Sequence, residues 1–430
     1  MKRNTFKTAR LLTLSLVLMV SLVACGVTRI AEASNPSSII VGAIYPLSGS
    51  QASTGMEIRN GIELAIDIVN NNWPSINLPL AEGEGIPSLG GAKMSIVWGD
   101  SQGNPERGMA TAEQILNQDN AVAIIGCFNS SVSATVATVT ERHEKVFLNP
   151  DSTNPGLTKN GWEWFFRLTP DDYMFTRNLI DFIIDMNEQK GAGIKTAALV
   201  YDNSLTGQDI GELFNTMSRE AGLEVVLDLV FAPNSPELNS EVMRISRANA
   251  DVVMHFAFVS DAILLMRTYK DQGYMPKMFI ANGGGFTDSS FVATLGADAD
   301  YICNRSVYSL DIGEQRPIVT QINDIYRERY GFNMNEYSSR GFMGVIVLAD
   351  AINRAGSTDS EAIRKALFET NIPEDQIILA WTGVQFDSYG QNILGRAMVG
   401  QNVNGEFPTV WPFDLAQAEP VYPAFGWSNR

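Results

Sequence analysis

Four hydroxyl side chains stand where they could receive an anion: Ser130 and Ser131 in one loop, Ser152 and Thr153 in another. Each pair follows a short apolar run and lies beside the free backbone N–H groups that begin the next helix. Such an array accepts a carboxylate without needing a cationic side chain. The same residues also cap helices, so a purely structural role stands beside the binding one. Other chemistry has little material. The 430 residues contain only two histidines, His143 and His255, and three cysteines, Cys25, Cys127 and Cys303, with no paired spacing for zinc. There is no nucleophile elbow and no phosphate loop, and Gly283-Gly284-Gly285 is not G-x-G-x-x-G. This argues against an enzyme, and for a chain that needs neither metal nor cofactor.

The elements that must position these loops alternate with regularity. Apolar runs at 39–45, 94–98, 121–125 and 146–148 read as buried parallel strands, with helical spacing between them at Ile58, Ile62, Ala65 and Val69, after the Asn104-Pro105 cap, and over 133–143. A second cycle follows Pro170, with strands at 196–201, 224–231, 252–256 and 277–281. The fold class is therefore α/β, as two Rossmann-like lobes with parallel sheets flanked by helices. Helices at 317–330, 341–355 and 359–369 come next, then a hairpin, 397–403 and 407–411, around the Asn404-Gly405 turn. The loop 71–92 is too long for an ordinary connection and lies opposite the ligand-binding edge, so decoration or partner contact is its expected role.

The amino terminus carries an address. Lys2, Arg3, Lys7 and Arg10 precede an apolar run at 11–23 that is too short to span a bilayer comfortably, and small residues then lead to Cys25. Leu22-Val23-Ala24-Cys25 resembles the lipobox of bacterial lipoproteins. The resemblance implies a signal peptide at 1–24, acylation of Cys25, a tether over 25–37 and attachment to a membrane surface from outside the cytoplasm. Loss of residues 1–24, with four cationic side chains, takes the formal charge from −17 to −21. No basic patch remains for nucleic acid, and the dispersed acidity reads as solubility. Cys127 and Cys303 fall in different lobes and are expected not to pair.

Val41-Gly42-Ala43-Ile44-Tyr45-Pro46-Leu47-Ser48-Gly49, with Asn60-Gly61-Ile62-Glu63-Leu64-Ala65, resembles the start of type I periplasmic binding proteins, in the leucine/isoleucine/valine branch of ABC-transporter receptors. Asp100–Pro105, Ile125-Gly126 with Asn129-Ser130-Ser131, Asn149–Thr158 and Phe166–Pro170 match later loops of that family in order. The resemblance implies a monomer with lobe 1 over 38–168 and 311–395, and lobe 2 over 169–310 and 396–430. A three-strand hinge near 168–170, 310 and 395 joins them. It implies capture of a small polar ligand, by default an amino acid of the branched-chain type, and delivery to an ABC permease. Ser130 and Thr153 carry the family's ligand contacts, with Ser131 and Ser152 beside them. Tyr201, Asp202, Phe258, Asn282 and Gly284 are implied as contacts from lobe 2.

The pattern breaks in one place. Amino-acid receptors of this branch hold the ligand's ammonium with an acid in the loop 282–286, and here that loop reads Asn282-Gly283-Gly284-Gly285-Phe286. A buried ammonium needs a carboxylate, and Asp151, Asp202 and Asp261 are the candidates, with Asp151 best placed. Otherwise the ligand has no ammonium, which opens the alternatives of an amide, a urea, a purine or an aromatic carboxylate. A signalling receptor of the same fold is the other alternative.

Overall fold

In the computed structural model, which describes residues 36–429, the apolar run at 39–45 becomes strand β1 (Ser38–Tyr45). It lies inside a five-stranded sheet with β2 (Lys93–Asp100), β3 (Ala123–Gly126), β4 (Val146–Asn149) and β5 (Phe165–Arg167), all parallel, in the order β2-β1-β3-β4-β5. Helices α1 (Ala52–Asn70), α2 (Pro105–Gln118) and α3 (Ser130–Arg142) connect these strands. Val41, Ala43 and Tyr45 enter one apolar cluster and Ile44 another, so β1 is covered on both faces and has no use for alternation. The expected signal peptide, Cys25 and the expected tether up to residue 35 lie outside the described residues.

The chain leaves this lobe at 168–171 and builds a second one. Helices α4 (Asp172–Lys190), α5 (Leu205–Glu220), α6 (Asn239–Ala248), α7 (Val259–Asp271) and α8 (Ser289–Leu295) alternate with β6 (Thr196–Asp202), β7 (Glu224–Phe231), β8 (Val252–Phe256), β9 (Met278–Ala281) and β10 (Ile302–Ser306). It then returns, and α9 (Pro317–Tyr330), α10 (Glu336–Ala355), α11 (Ser360–Phe368) and the short strands β11 (Ile372–Pro373) and β12 (Gly383–Val384) join the first lobe's core. A third passage leads to β13 (Met398–Gln401) and β14 (Thr409–Trp411) at the edge of the second sheet, whose order is β14-β13-β10-β9-β8-β6-β7. These last two strands are antiparallel, so the second sheet is mixed at that edge. Asn404 and Gly405 both have positive φ, 54° and 85°, as a tight hairpin turn requires.

Three features differ from the sequence reading. Helix α10 begins at Glu336 rather than Gly341. A capping box starts it: the Asn335 side chain accepts from the N–H of Tyr337 and Ser338, and Ser338 Oγ accepts from Asn335 N–H. Strands β5 and β10 pass unread because each buries polar residues, Arg167 in the first and Asn304 with Arg305 in the second. The loop 71–92 is no loose decoration. It buries Ile76, Leu78, Ala81, Ile86, Leu89 and Ala92 in the first lobe's core, and Ser88 N–H donates to Asn353 Oδ1 of α10 at 3.0 Å.

Cys127 and Cys303 are buried, unpaired and in separate lobes. His143 ends α3 and meets Glu113 at 2.9 Å, while buried His255 meets the Tyr269 hydroxyl at 2.9 Å, burial pushing its imidazole down to about 4. Among the described residues no helix is long and apolar enough to cross a membrane.

Candidate functional site

The carboxyl ends of β3 and β4 in lobe 1 face the ends of β8 and β9 in lobe 2, and their loops touch. Phe128, in the β3 loop, lies edge-on to Phe258 with ring centroids 5.8 Å apart and to Tyr337 of α10 at 5.4 Å. The Tyr337 hydroxyl donates to the Gly284 carbonyl and accepts from Thr287 Oγ1 at 3.0 Å. An aromatic wall thus bridges the lobes, with Phe258 in it. Ser130 begins α3 and accepts from Asn154 N–H at 3.4 Å, which draws the β3 and β4 loops together. Ser131 is half-buried in the same first turn, and Thr153 is buried in the β4 loop.

Beside this wall runs a buried chain of charges. Tyr45 donates its hydroxyl to Asp151 at 3.0 Å; Asp151 pairs with Arg340 at 3.4 Å; Arg340 pairs with Glu336 at 3.1 Å; and Glu336 pairs with Arg305 of lobe 2. The Arg305 guanidinium lies 3.8 Å over the Phe175 ring and donates Nε–H to Asn282 Oδ1 at 3.2 Å. Two cations and two carboxylates balance, and aromatic faces shield both guanidinium groups, since Arg340 also stacks on Tyr337. Burial lifts the Asp151 carboxyl to about 6, against the pull of Arg340.

This chain gives several expected contacts other employment. Asp151, the first choice for an ammonium partner, already serves Arg340 and Tyr45. Ser152 donates to the Cys127 carbonyl at 2.7 Å and stitches two loops of lobe 1. Tyr201 turns away from the cleft: its ring packs on Gly211 of α5, where a Cβ would sit 2.1 Å away, and its hydroxyl donates to Asp228 at 2.8 Å. Asp202 accepts from Ser204 N–H at 3.0 Å and Asp261 from Asn234 N–H at 2.8 Å, so both hold turns within lobe 2. Asn282 donates to Thr176 Oγ1 at 3.0 Å, besides bonding Arg305. The glycine run serves the protein's own backbone, because a Cβ on Gly285 would lie 2.1 Å from Val259 Cα.

One carboxylate that the sequence reading passed over is left without work. Asp172, in the first turn of α4, is wholly buried, and the Thr153 side chain is the one hydrogen-bonding group that acts on its carboxyl, whose oxygens otherwise lack partners among the described residues. Its N–H donates to the Thr153 carbonyl at 2.8 Å, which brings it beside Thr153 from the other lobe. Burial raises its carboxyl to about 7, with Thr153, Arg305 and Arg167 pulling it back and Asp209 adding to the rise. Arg305 and Arg167 act on it only from beyond ion-pair distance, being paired with Glu336 and Asp171, so this buried acid has no cation in contact. Its signal in the sequence was the doublet Asp171-Asp172 after Pro170, of which Asp171 alone caps the helix, accepting from Met174 N–H at 2.9 Å. Arg305, Glu336, Tyr337 and Arg340 were also missed. Among the described residues no group of three or more His, Cys, Asp or Glu could hold a metal ion.

The periplasmic binding protein family model matches residues 38–399. A Leu/Ile/Val-binding protein homolog 7 from Brucella abortus is 26% identical over 411 residues, 93% of this chain and 98% of that one. Among solved structures, the branched-chain amino acid transporter substrate-binding protein LivJ of Streptococcus pneumoniae, in complex with isoleucine, superimposes with a TM-score of 0.72 at 20% identity, over 86% of this chain and 97% of that one. A solute-binding protein of an ABC transporter from R. palustris, in complex with benzoate, gives 0.72 at 17% identity, over 87% and 95%.

Proposed function

Because the chain belongs to the periplasmic binding protein family, we propose that it is the lipid-anchored receptor of an ABC transporter, capturing a small polar ligand between its lobes and delivering it to a permease. The lobes close about the three chain passages, near 168–171, 307–316 and 385–397. Ser130, Ser131 and Thr153 receive the ligand's carboxylate, together with the N–H groups that open α3. Phe258 and the Gly284 loop cover it from lobe 2.

The observation that carries an amino-acid ligand is Asp172, a buried carboxylate beside Thr153 with no cation in contact. It supplies the negative charge that the 282–286 loop lacks. The relative's printed name and the LivJ complex with isoleucine support the branched-chain class. A second reading, an aromatic carboxylate, draws on the benzoate complex and on the Phe128–Phe258–Tyr337 wall beside two guanidinium groups. Mass spectrometry of ligand released from purified protein, followed by calorimetry with leucine, isoleucine, valine and benzoate, decides between them. Release of an enzyme product, or binding of none of these classes, would overturn the proposal.

A further inference from the structure

A second contact between the lobes lies where α1 meets the start of α8. Ser53 Oγ and Thr54 Oγ1 of lobe 1 donate to Asp288 Oδ2 of lobe 2 at 3.1 and 2.5 Å. In return, Ser289 N–H of lobe 2 donates to Glu57 Oε1 of lobe 1 at 3.1 Å, and Asn335 Nδ2 donates to Glu57 Oε2 at 2.6 Å. Ser260 Oγ donates to the Ser50 carbonyl at 3.3 Å beside them. Glu57 is 4% exposed and Asp288 0%. Two carboxylates, one from each lobe, are therefore buried together.

Hydrogen bonds from Ser289 and Asn335 favour the charged form of Glu57 but do not offset its burial. Asp288 faces it from the cap of α8, the Tyr326 hydroxyl from α9 and the neutral Asn335 amide from the start of α10, and among the described residues no ion pair joins Glu57 to a cation. Glu336, one residue further, is occupied by Arg305 and Arg340.

We propose that Glu57 is a positioning residue for closure, and that bringing the lobes together loads one proton onto its carboxyl, so that ligand capture strengthens as pH falls. The inference rests on the closure reading above. Its sign follows from the contacts. Opening withdraws Ser289 and Asp288 and returns Glu57 toward water, where its carboxyl titrates near the ordinary 4.5; in the closed form burial, with Asp288 adding, lifts it to about 8. Between these values the closed state holds a proton that the open state lacks, and closure weakens by up to about tenfold per pH unit as pH rises. Outside that window both states carry the same charge on Glu57 and its contribution is flat.

Paired spin labels test this on exposed positions of each lobe, Met109→Cys and Met243→Cys, in the chain carrying Cys25→Ser. Distances are measured without ligand and with isoleucine or benzoate, from about pH 5 to about pH 9. The closed-to-open ratio of the parent should fall relative to that of Glu57→Gln by up to about tenfold per pH unit inside the window, the two agreeing at its acid end. Asp288→Asn removes the opposing charge and keeps the Glu57 carboxyl, so its profile should move to lower pH. A parent and a Glu57→Gln profile in constant ratio across the range, with no shift in Asp288→Asn, would overturn the proton latch. If the distance changes on ligand addition in those same proteins, closure survives and the latch alone fails; if it changes under no condition, the closure reading fails first.

Discussion

Asp172 and Asp151 are both buried carboxylates at the lobe junction, and their partners give them opposite roles. Asp172→Asn removes the charge proposed to hold the ammonium. It should cost an amino-acid ligand more affinity than Ser130→Ala or Thr153→Ala, each of which should lose about 1.5–3 kcal/mol, roughly tenfold to a hundredfold. Calorimetry on the three variants checks the order, and a benzoate-type ligand should be indifferent to Asp172→Asn or favour it. Asp151→Asn should act on stability instead, by roughly 3 kcal/mol, because it strips one of two carboxylates from buried Arg340. Chemical denaturation reads that loss directly. Nothing in the local sequence separates the two acids: each follows a proline region and precedes a helix or turn. Only the approach of α10 from a distant stretch of chain decides that Asp151 has a cation in contact, while Arg305 and Arg167 reach Asp172 only from further off.

At the scale of elements, the start of α10 governs the site. It carries Glu336, Tyr337 and Arg340, and the capping box at Asn335 holds it in place while the same amide reaches Glu57. Asn335→Ala should cost about 1 kcal/mol of stability from the lost cap, read from the denaturation midpoint. The apolar run from Gly341 onward was legible as a helix because its inner face is continuous. The polar turn before it reads as loop, since burial of Glu336 and Arg340 depends on pairing with each other and with residues elsewhere. The Asn335-x-x-Ser338 spacing was the available signal. The Gly283–Gly285 run shows the converse, a legible motif with a different purpose. Gly285→Ala should destabilise lobe 2 by about 1–3 kcal/mol by forcing α7 off the loop, a loss visible without any ligand.

For the whole molecule, small-angle scattering should show compaction on saturating ligand, with contacts such as Phe128–Phe258 and Tyr337–Gly284 formed only in the closed state. A profile unchanged by a ligand that calorimetry shows to bind would exclude closure. Cys25→Ser should leave a soluble or unprocessed chain, since the thiol is the proposed acylation site. Metabolic fatty-acid labelling as strong in the variant as in the parent would rule that out.

Whatever depends on periodicity and on local backbone demand was written in the chain itself. Buried runs such as 39–45 fold as parallel strands because both their faces are apolar, Asn404-Gly405 turns because both residues tolerate positive φ, and the strand-to-helix loops fall at one edge because βα alternation leaves them nowhere else. The fold class and the loops containing Ser130, Thr153 and Phe258 follow from those causes. The pairing of charges does not. Arg305 comes from a strand of lobe 2, Glu336 and Arg340 from a helix of lobe 1 reached after a second passage between the lobes, and Asp151 from a loop almost two hundred residues earlier. A carboxylate's role is set by which cation lies within a few ångströms in a medium that screens poorly, and that distance exists only once the tertiary structure has closed around it.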